Sequence, residues 1–414
     1  MRTATPYRVA ILLALVTGGC GGTGGTSANS AGVTSSSSCL AVMPFVGGPP
    51  HAPLPASLFP VTASKAATDV PVPDALAAAL DQQVHDLLNK SGAPAISAAI
   101  TVPGLGRWSS TQGLAQVRPA QAVTHGTEFY WGSVAKTLTA VLVLQLMEEG
   151  KLRLEDPLSR WLPQIPDAQH IRIGHLLSHT SGLQTNANNR SGEGPVTPTS
   201  MATNMAGMPL LFCPGTSASY SNTGYVLLAL VVEAIEQQPL HQTVERRIAK
   251  PLGLQYLRAL RPGEDAAVAL AIPHEGQTPM ADPTAWTRLG AGNVVGRAED
   301  LAVFWQAVLT GRLLAPATVQ SQWEMLHVLG PQTTETSQAL QWFGKGVMLM
   351  EWTDPTGRER AWLGHLGGIP TANAVLLYDP VAGAYAAVAV NSDVSSAAAA
   401  NSLIKTVLEW QAQH

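Results

Sequence analysis

The chain has 414 residues, of which 46% are hydrophobic and 13% are charged, and its formal net charge is -4. A prior of about 150 residues per domain allows two or three compact units in a chain of this length. The sequence has no basic region of the kind that nucleic acid requires, so we expect no nucleic-acid partner.

The first residues have the pattern of an export signal. Arg2 and Arg8 precede or flank an apolar run, Val9 to Val16, that is too short to span a bilayer, and small residues follow up to Cys20. The pattern predicts a signal peptide over residues 1–20. The mature protein is therefore expected outside the cytoplasm, as a periplasmic protein, a membrane-anchored lipoprotein or a secreted protein.

Cys20 has two interpretations. It resembles the lipid-attachment cysteine of bacterial lipoproteins, although Thr17 stands where that pattern prefers an aliphatic residue. Lipidation of Cys20 would attach the protein to a membrane, whereas ordinary cleavage nearby would release it. The sequence leaves both outcomes open.

Residues 21–73 differ in composition from the rest of the chain. They are rich in Gly, Ser, Thr, Ala and Pro, which predicts a flexible linker with a proline-rich end and no packed core of its own. The globular domain is expected over residues 74–414. Cys39 and Cys213 are the other two cysteines, and an oxidising compartment permits a disulfide between them, although Cys39 lies in the predicted linker.

Hydrophobic periodicity predicts the helices and strands of this domain. The predicted helices are Asp74 to Lys90 with Asp74 as its cap, the apolar run from Val134 to Met147 with Ser133 at its start, and Ile171 to Ser178, Thr223 to Ile235, Arg246 to Leu254, Ala298 to Leu309 and Ser395 to Trp410. The predicted strands are Ala95 to Val102, Arg107 to Ala115, Gly344 to Glu351, Arg360 to Leu366, Ala372 to Leu377 and Ala384 to Asn391. The polar stretch from Gln184 to Pro209 predicts a long surface loop.

The order of these elements predicts the fold class. Strands occur near both ends of the domain, and helices fill the middle. We therefore expect an α/β (α+β) fold, in which an antiparallel sheet is flanked by the N- and C-terminal helices and a mostly helical subdomain is inserted.

Ser133 and Lys136 form an S-x-x-K pattern at the start of an apolar run. Residues at i and i+3 project from the same face of a helix, and the backbone N–H groups of a helix N-terminus favour negative charge. Apolar surroundings lower the pKa of a lysine, so it can be the neutral amine that a base must be. The pattern indicates a nucleophile and its base, but Ser402 and Lys405 match it too, inside the predicted C-terminal helix.

Tyr220-Ser221-Asn222 precedes another apolar helix. In an extended segment, Tyr220 and Asn222 point to the same side. A tyrosine near an ammonium group can be stabilised as a phenolate, which makes Tyr220 a candidate general base or acid.

Several histidines could suggest other chemistry. His274-Glu275-Gly276 fits an H-x-G pattern, but it lies beside prolines with no predicted strand around it, so we interpret it as a loop. His170, His175 and His179 are close in sequence, yet no acidic residue or cysteine clusters with them. We therefore interpret them as structural, and we expect no metal and no cofactor.

Three motifs together resemble those of the serine β-lactamase and penicillin-binding-protein superfamily, in order and in approximate spacing. They are SVAK at Ser133 to Lys136, YSN at Tyr220 to Asn222 and HLGG at His365 to Gly368. The likeness is to class C β-lactamases, D-Ala-D-Ala carboxypeptidases and related esterases. Flanking segments that include Leu176 to Leu183 and Pro251 to Leu254 extend it over nearly the whole predicted domain.

The resemblance implies a β-lactamase/transpeptidase-like fold and an acyl-enzyme mechanism on a small-molecule or peptide ester or amide. Ser133 would attack a carbonyl, and Lys136 and Tyr220 would transfer protons. The groups that would bind the substrate are Asn222, His365 and Gly367. The backbone N–H groups of Ser133 and Gly368 would form the oxyanion hole, in which a single donor contributes about 3 kcal/mol.

The third motif departs from the pattern of carboxypeptidases and β-lactamases. Those proteins usually have hydroxyl residues at the positions of Leu366 and Gly368, and a neutral His365 is a poor substitute for a fixed cation. A substrate carboxylate would lose partners, which favours an esterase or amidase. A non-catalytic sensor that binds β-lactams or cell-wall peptides is the alternative from a different class. The sequence predicts no oligomeric state.

Overall fold

The computed structural model describes residues 39, 45–46, 48–60, 70–185, 196–264, 271–275, 278–280, 287–329, 340–369 and 371–414. The predicted signal peptide and Cys20 lie outside these ranges. Within them, no helix combines the length and apolar character needed to cross a membrane.

The described residues form helices and strands in alternating groups. The helices are α1 (Asp74–Ser91), α2 (Ala135–Glu148), α3 (Ile173–Leu177), α4 (Pro198–Met205), α5 (Asn222–Glu236), α6 (Leu240–Val244), α7 (Lys250–Leu252), α8 (Ala298–Leu309), α9 (Pro316–Ser321) and α10 (Ser396–Gln411). The strands are β1 (Ala95–Val102), β2 (Gly106–Gln116), β3 (Gln121–Ala122), β4 (Phe129–Tyr130), β5 (Arg258–Ala259), β6 (His274–Glu275), β7 (Thr278–Pro279), β8 (Val294–Gly296), β9 (His327–Val328), β10 (Leu340–Phe343), β11 (Met348–Thr353), β12 (Glu359–Ile369), β13 (Ala372–Asp379) and β14 (Ala384–Val390).

A single antiparallel sheet organises the domain. Among the described residues it has nine strands, in the order β3-β2-β1-β14-β13-β12-β11-β10-β9. β1 pairs with β2 on one side and with β14 on the other, so the first and last strands of the domain meet in the middle of the sheet. This arrangement confirms the predicted fold class, in which both ends of the domain contribute to one sheet around a helical insertion.

The central strands β1 and β14 are buried at every position, so both faces of the sheet are covered there, whereas the outer strands β2, β3 and β10 are partly exposed. In β1, Ile96, Ala98 and Ile100 face a core that includes residues of α1 and α10, whereas Ala95 and Ala99 face the larger core of α2, α5 and α8. Side chains alternate along a strand, so one strand serves both cores. Burial of a large aliphatic side chain contributes about 1.5–3 kcal/mol, and both layers of helices are held in this way.

Two local predictions were wrong, one at the start of a helix and one at a histidine. Pro73 is the residue that precedes α1, and Asp74 is the first helical residue instead of its cap. A carboxylate in the first turn still interacts favourably with the helix dipole. His274 is not in a loop, because it lies in the short strand β6, which pairs with β7. Its side chain is fully buried, and the Nε2 atom of its ring accepts a hydrogen bond from the backbone N–H of Val117 at 3.1 Å.

The predicted loop from Gln184 to Pro209 contains the helix α4, so the prediction was wrong there. Thr197 caps α4 by accepting a hydrogen bond from the backbone N–H of Ser200 at 3.0 Å, and Pro198 supplies the first-turn backbone angle. Two buried methionines fix the helix on the core. These signals are short, and the polar composition around them conceals them. Residues 186–195 lie outside the described residues.

The described parts of the predicted linker contact the domain. Cys39 forms a disulfide with Cys213, with a Cα–Cα distance of 5.3 Å. The backbone N–H of His51 donates to the carbonyl oxygen of Leu326 at 2.9 Å, and Phe59 packs against the larger core. The flexibility of residues 21–73 as a whole stays a prediction.

Candidate active site

Ser133 lies at the entrance of a buried helix. It belongs to a 3₁₀ turn, Gly132–Val134, that follows β4 and leads directly into α2. Gly132 has φ of 48°, a conformation that favours glycine and turns the chain sharply. Trp131 is fully buried and donates from Nε1 to the carbonyl oxygen of Gly296 at 3.1 Å. The half-buried Ser133 is thus presented from a rigid turn.

Lys136 is completely buried in the first turn of α2, and three oxygen atoms surround its Nζ atom. Nζ lies 3.1 Å from Ser133 Oγ, 2.7 Å from Asn222 Oδ1 and 2.7 Å from the carbonyl oxygen of Ala291. In the described part of the chain, no ion pair includes this lysine. Burial alone lowers the pKa of Lys136 well below its ordinary value.

The three contacts are consistent with a neutral amine. A neutral amine has two N–H groups, which the oxygens of Asn222 and Ala291 accept at the two shorter distances. The lone pair then faces the hydroxyl of Ser133, which can donate to it. The geometry therefore allows Lys136 to take the proton of Ser133.

The carbonyl oxygen of Ala291 is held by its own loop. Gly290 has φ of 65°, and its N–H donates to Asn293 Oδ1 at 2.9 Å. The carbonyl oxygen of Gly290 accepts a hydrogen bond from Thr139 Oγ1 of α2 at 2.7 Å. A Cβ atom on Gly290 would lie 2.6 Å from that of Ala229, so only glycine fits. Helices α2 and α5 together fix the acceptor for Lys136.

Tyr220 and Asn222 both contact Lys136. This agrees with the expectation that the two side chains of an extended Y-x-N segment point to the same side. Lys136 Nζ is 4.8 Å from the centroid of the Tyr220 ring, and Asn222 is the first residue of α5. Ser221 between them caps α5 by accepting from the N–H of Gly224 at 3.2 Å. The helix start therefore fixes the directions of both side chains.

Burial favours the phenol form of Tyr220, whereas the sequence suggested a phenolate. Burial raises the pKa of Tyr220 well above its ordinary value, and its hydrogen bond with Ser133 offsets this only in part. An ammonium group would stabilise a phenolate, but Lys136 has a lowered pKa for the same reason of burial. Burial therefore favours the uncharged form of both groups, the amine of Lys136 and the phenol of Tyr220.

The end of β12 lies against the Ser133 turn. A Cβ atom on Gly367 would lie 2.1 Å from the carbonyl oxygen of Trp131, and one on Gly132 would lie 2.7 Å from the backbone nitrogen of Gly368. Neither position has space for a side chain. The two backbones approach closely, which brings the amide of Gly368 next to the residue that precedes Ser133. The oxyanion hole formed by the amides of Ser133 and Gly368 stays a prediction, and this close approach is compatible with it.

His365 lies in β12 two residues before Gly367, is buried, and is neutral at neutral pH. Burial lowers its pKa to about 3, and the nearby Lys136 adds to the effect. Leu366, its neighbour on β12, packs against the core on the opposite face of the sheet. Neither residue supplies a positive charge to the cleft at neutral pH.

Two groups that contact Lys136 or Tyr220 were not predicted from the sequence. The carbonyl oxygen of Ala291 is a backbone atom, and no residue type marks it. His179 was interpreted as structural, but its ring stacks on that of Tyr220, with centroids 4.5 Å apart and planes at 28°. Its place in the Leu176 to Leu183 segment, which carries part of the family resemblance, was the available signal.

Other candidates lie away from the site. Ser402 donates from Oγ to the carbonyl oxygen of Ala398 at 3.2 Å within α10, and the exposed Lys405 pairs with Glu409 at 3.6 Å. His175 accepts at Nδ1 from the backbone N–H of Arg172 at the start of α3. Over the described ranges, the structure contains no group of three or more His, Cys, Asp or Glu side chains that could hold a metal ion.

Comparison with known proteins agrees with this architecture. The Beta-lactamase family model matches residues 80–409, well over half of the chain. The chain therefore belongs to the Beta-lactamase family, and the curated relatives that it matches include an esterase and a putative D-alanyl-D-alanine carboxypeptidase.

Individual relatives match parts of the chain. Penicillin-binding protein 4 of Amycolatopsis lactamdurans is 31% identical over 294 residues, which cover 66% of this chain and 75% of that protein. Esterase EstB of Burkholderia gladioli is 31% identical over 199 residues, which cover 44% of this chain and 50% of that protein. The chain spans about half the length of several curated relatives that it matches.

A solved structure covers more of the chain. The crystal structure of a D-stereospecific amidohydrolase from a Streptomyces species superposes with a TM-score of 0.63 and 26% identity, covering 80% of this chain and 97% of that one. The family and the fold are thereby established together.

Proposed function

We propose that the protein is an exported serine hydrolase that cleaves an ester or amide through an acyl-enzyme on Ser133. One observation carries this proposal: the buried Lys136 places its Nζ atom 3.1 Å from Ser133 Oγ, with Asn222 Oδ1 and the carbonyl oxygen of Ala291 each 2.7 Å from the same Nζ. A nucleophile beside a neutral base is the arrangement that serine acylation requires.

The residues around Ser133 support a complete sequence of proton transfers. Ser133 Oγ attacks the substrate carbonyl while Lys136 takes its proton, and the amides of Ser133 and Gly368 stabilise the oxyanion. The C–O or C–N bond to the leaving group breaks as Tyr220 gives that group a proton, and Lys136 returns a proton to Tyr220. Water then attacks the acyl-enzyme with the same groups as base and acid, releases the acid product and restores Ser133.

The site favours a substrate with no free carboxylate next to the scissile bond. His365 is neutral and buried, and Leu366 and Gly368 offer no hydroxyl. From these three residues, a carboxylate placed there would gain neither a cation nor a hydroxyl donor in return for the water it loses. Similarity to an esterase and to an amidohydrolase supports the same class, a small-molecule or peptide ester or amide.

Active-site labelling tests this function against its alternatives. Intact-protein mass spectrometry after incubation with a fluorophosphonate and, separately, with a labelled penicillin should show stoichiometric labelling by the first and slow or no labelling by the second. Stoichiometric labelling by both would indicate a penicillin-recognising enzyme. Labelling by neither would support a non-catalytic binding protein and would reject the proposal.

The export of the protein is a separate part of the proposal. It is supported by the charged and apolar pattern of residues 1–20 and by the Cys39–Cys213 disulfide, a bond that persists in oxidising compartments. We expect the mature chain from its native host to lack the charged and apolar part of this segment and to begin at or near Cys20, and mass spectrometry of its N-terminal peptide would also reveal a lipid. Recovery of the chain from the cytosol with Met1 retained would contradict export.

A further inference from the structure

His179 holds the segment that carries Tyr220 at three points. Its carbonyl oxygen accepts a hydrogen bond from the backbone N–H of Ser219 at 2.9 Å, and its Nδ1 atom accepts from the backbone N–H of Ser221 at 3.1 Å. Its ring stacks on the Tyr220 ring, with centroids 4.5 Å apart. One residue therefore contacts Tyr220 and both of its chain neighbours.

The backbone of His179 is itself unusual. His179 has φ of 59°, a left-handed conformation that is uncommon for residues other than glycine, and only Ser178 separates it from the short helix that ends at Leu177. This conformation lets the carbonyl group and the ring of one residue face the same strand-like segment. Structures retain such backbone strain mainly where the surrounding contacts require it.

The hydrogen bond to Ser221 fixes the protonation of the ring. Nδ1 must be an acceptor to receive the N–H of Ser221, so the ring is neutral and carries its hydrogen on Nε2. The titratable groups that face it are Lys136, Tyr220, Tyr225 and His365. In the described part of the site none of these is a carboxylate, so nothing there would stabilise a charged imidazole. Burial lowers the pKa of His179 further.

We propose that His179 is a positioning residue that holds the Tyr220 hydroxyl in line with Ser133 and keeps water from the Tyr220 ring. His179 itself exchanges no proton with the substrate. The proposal rests on the role of Tyr220 in the proposed function. The Tyr220 ring is confined between the His179 face and the edge of Phe343, whose centroid is 5.7 Å away. A displacement of a catalytic group by about 1 Å can lower the rate about 100-fold, so a small rotation of the Tyr220 ring is sufficient to slow acylation.

Two substitutions separate the contributions of His179. His179→Gly removes the ring and its acceptor, and it tolerates the positive φ. His179→Asn also tolerates this conformation, and it places an amide oxygen near the position of Nδ1 but restores no ring. His274→Asn is the matched control, since His274 is another buried histidine that accepts a backbone N–H but lies outside the site.

The test is a double-mutant cycle on single-turnover acylation by a chromogenic ester, with and without Tyr220→Phe, followed over a range of pH. We expect His179→Gly to slow acylation about 10- to 100-fold and His179→Asn to recover part of this loss. Both should move the alkaline limb of the rate profile to lower pH, because water then reaches the Tyr220 phenol. In the Tyr220→Phe background both should change the rate less than about 3-fold.

Other outcomes overturn the proposal in distinguishable ways. A His179→Gly effect that persists in full in the Tyr220→Phe background would show that His179 does not act through Tyr220, and the proposed function would stand. Wild-type acylation in Tyr220→Phe alone would reject the role of Tyr220 and His179 together. If His179→Gly does not fold, an unchanged alkaline limb in folded His179→Asn would still overturn the proposal. His274→Asn should lower stability and leave the rate profile unchanged.

Discussion

Ser133→Ala is expected to abolish acylation while leaving the fold intact. The substitution removes only the Oγ atom, which lies 3.1 Å from Lys136 Nζ, and it leaves the 3₁₀ turn and α2 in place. Loss of the nucleophile from a serine hydrolase lowers turnover by about 10⁴-fold or more, and the remainder comes from the oxyanion hole and binding. Intact mass after fluorophosphonate treatment, together with the steady-state rate of ester hydrolysis, measures both effects.

Ser402→Ala is the matched control, because Ser402 belongs to the second S-x-x-K pattern of the chain. Its hydroxyl is used inside α10 as a donor to Ala398, and Lys405 is exposed and bound to Glu409. This variant should label and turn over like the wild-type protein. An adduct that persists in Ser133→Ala, or that disappears in a folded Ser402→Ala, would contradict the assignment of the nucleophile.

The choice between the two S-x-x-K patterns shows what the sequence could predict. Local spacing describes both pairs equally well, and only the order of three distant motifs favours Ser133. The strands of the sheet were predictable because their apolar runs are bounded by turn residues, and the predicted span Ala95 to Val102 agrees with β1. The sheet then brings β12 against the Ser133 turn, which no local pattern encodes.

The protonation states were beyond the reach of the sequence. Proximity of Tyr220 to a lysine suggested a phenolate, but burial disfavours the charged form of both groups. The decisive quantity is desolvation, which depends on packing from α5, β12 and the loop that carries Ala291. Backbone participants such as the Ala291 carbonyl group have no residue signature at all. The short helix α4 was missed because its cap lies in polar sequence.

The pH profile of acylation is expected to have two limbs, each belonging to one residue. Burial lowers the pKa of Lys136 and raises that of Tyr220, so the two titrations are moved apart. Acylation requires the neutral amine, and the rate should fall as pH decreases through the lowered pKa of Lys136. It should also fall at high pH, above the ordinary tyrosine pKa of about 10, when Tyr220 loses the proton that it must donate.

Two substitutions assign the limbs. Lys136→Arg keeps a cation that does not deprotonate in proteins, so it should reduce acylation by about 10²- to 10⁴-fold and remove the acidic limb.

Tyr220→Phe keeps the ring that packs against His179 and removes only the hydroxyl, so it should cause a loss in the same range, delete the alkaline limb and leave stability nearly unchanged. The acidic limb should survive in this variant, because it reports the neutral Lys136. Single-turnover acylation after a brief pH jump measures both limbs without prolonged exposure to alkali. A Tyr220→Phe variant that loses the acidic limb instead would show that the two groups titrate as one coupled pair, and a variant with the wild-type rate would show that Lys136 or water transfers the proton unaided.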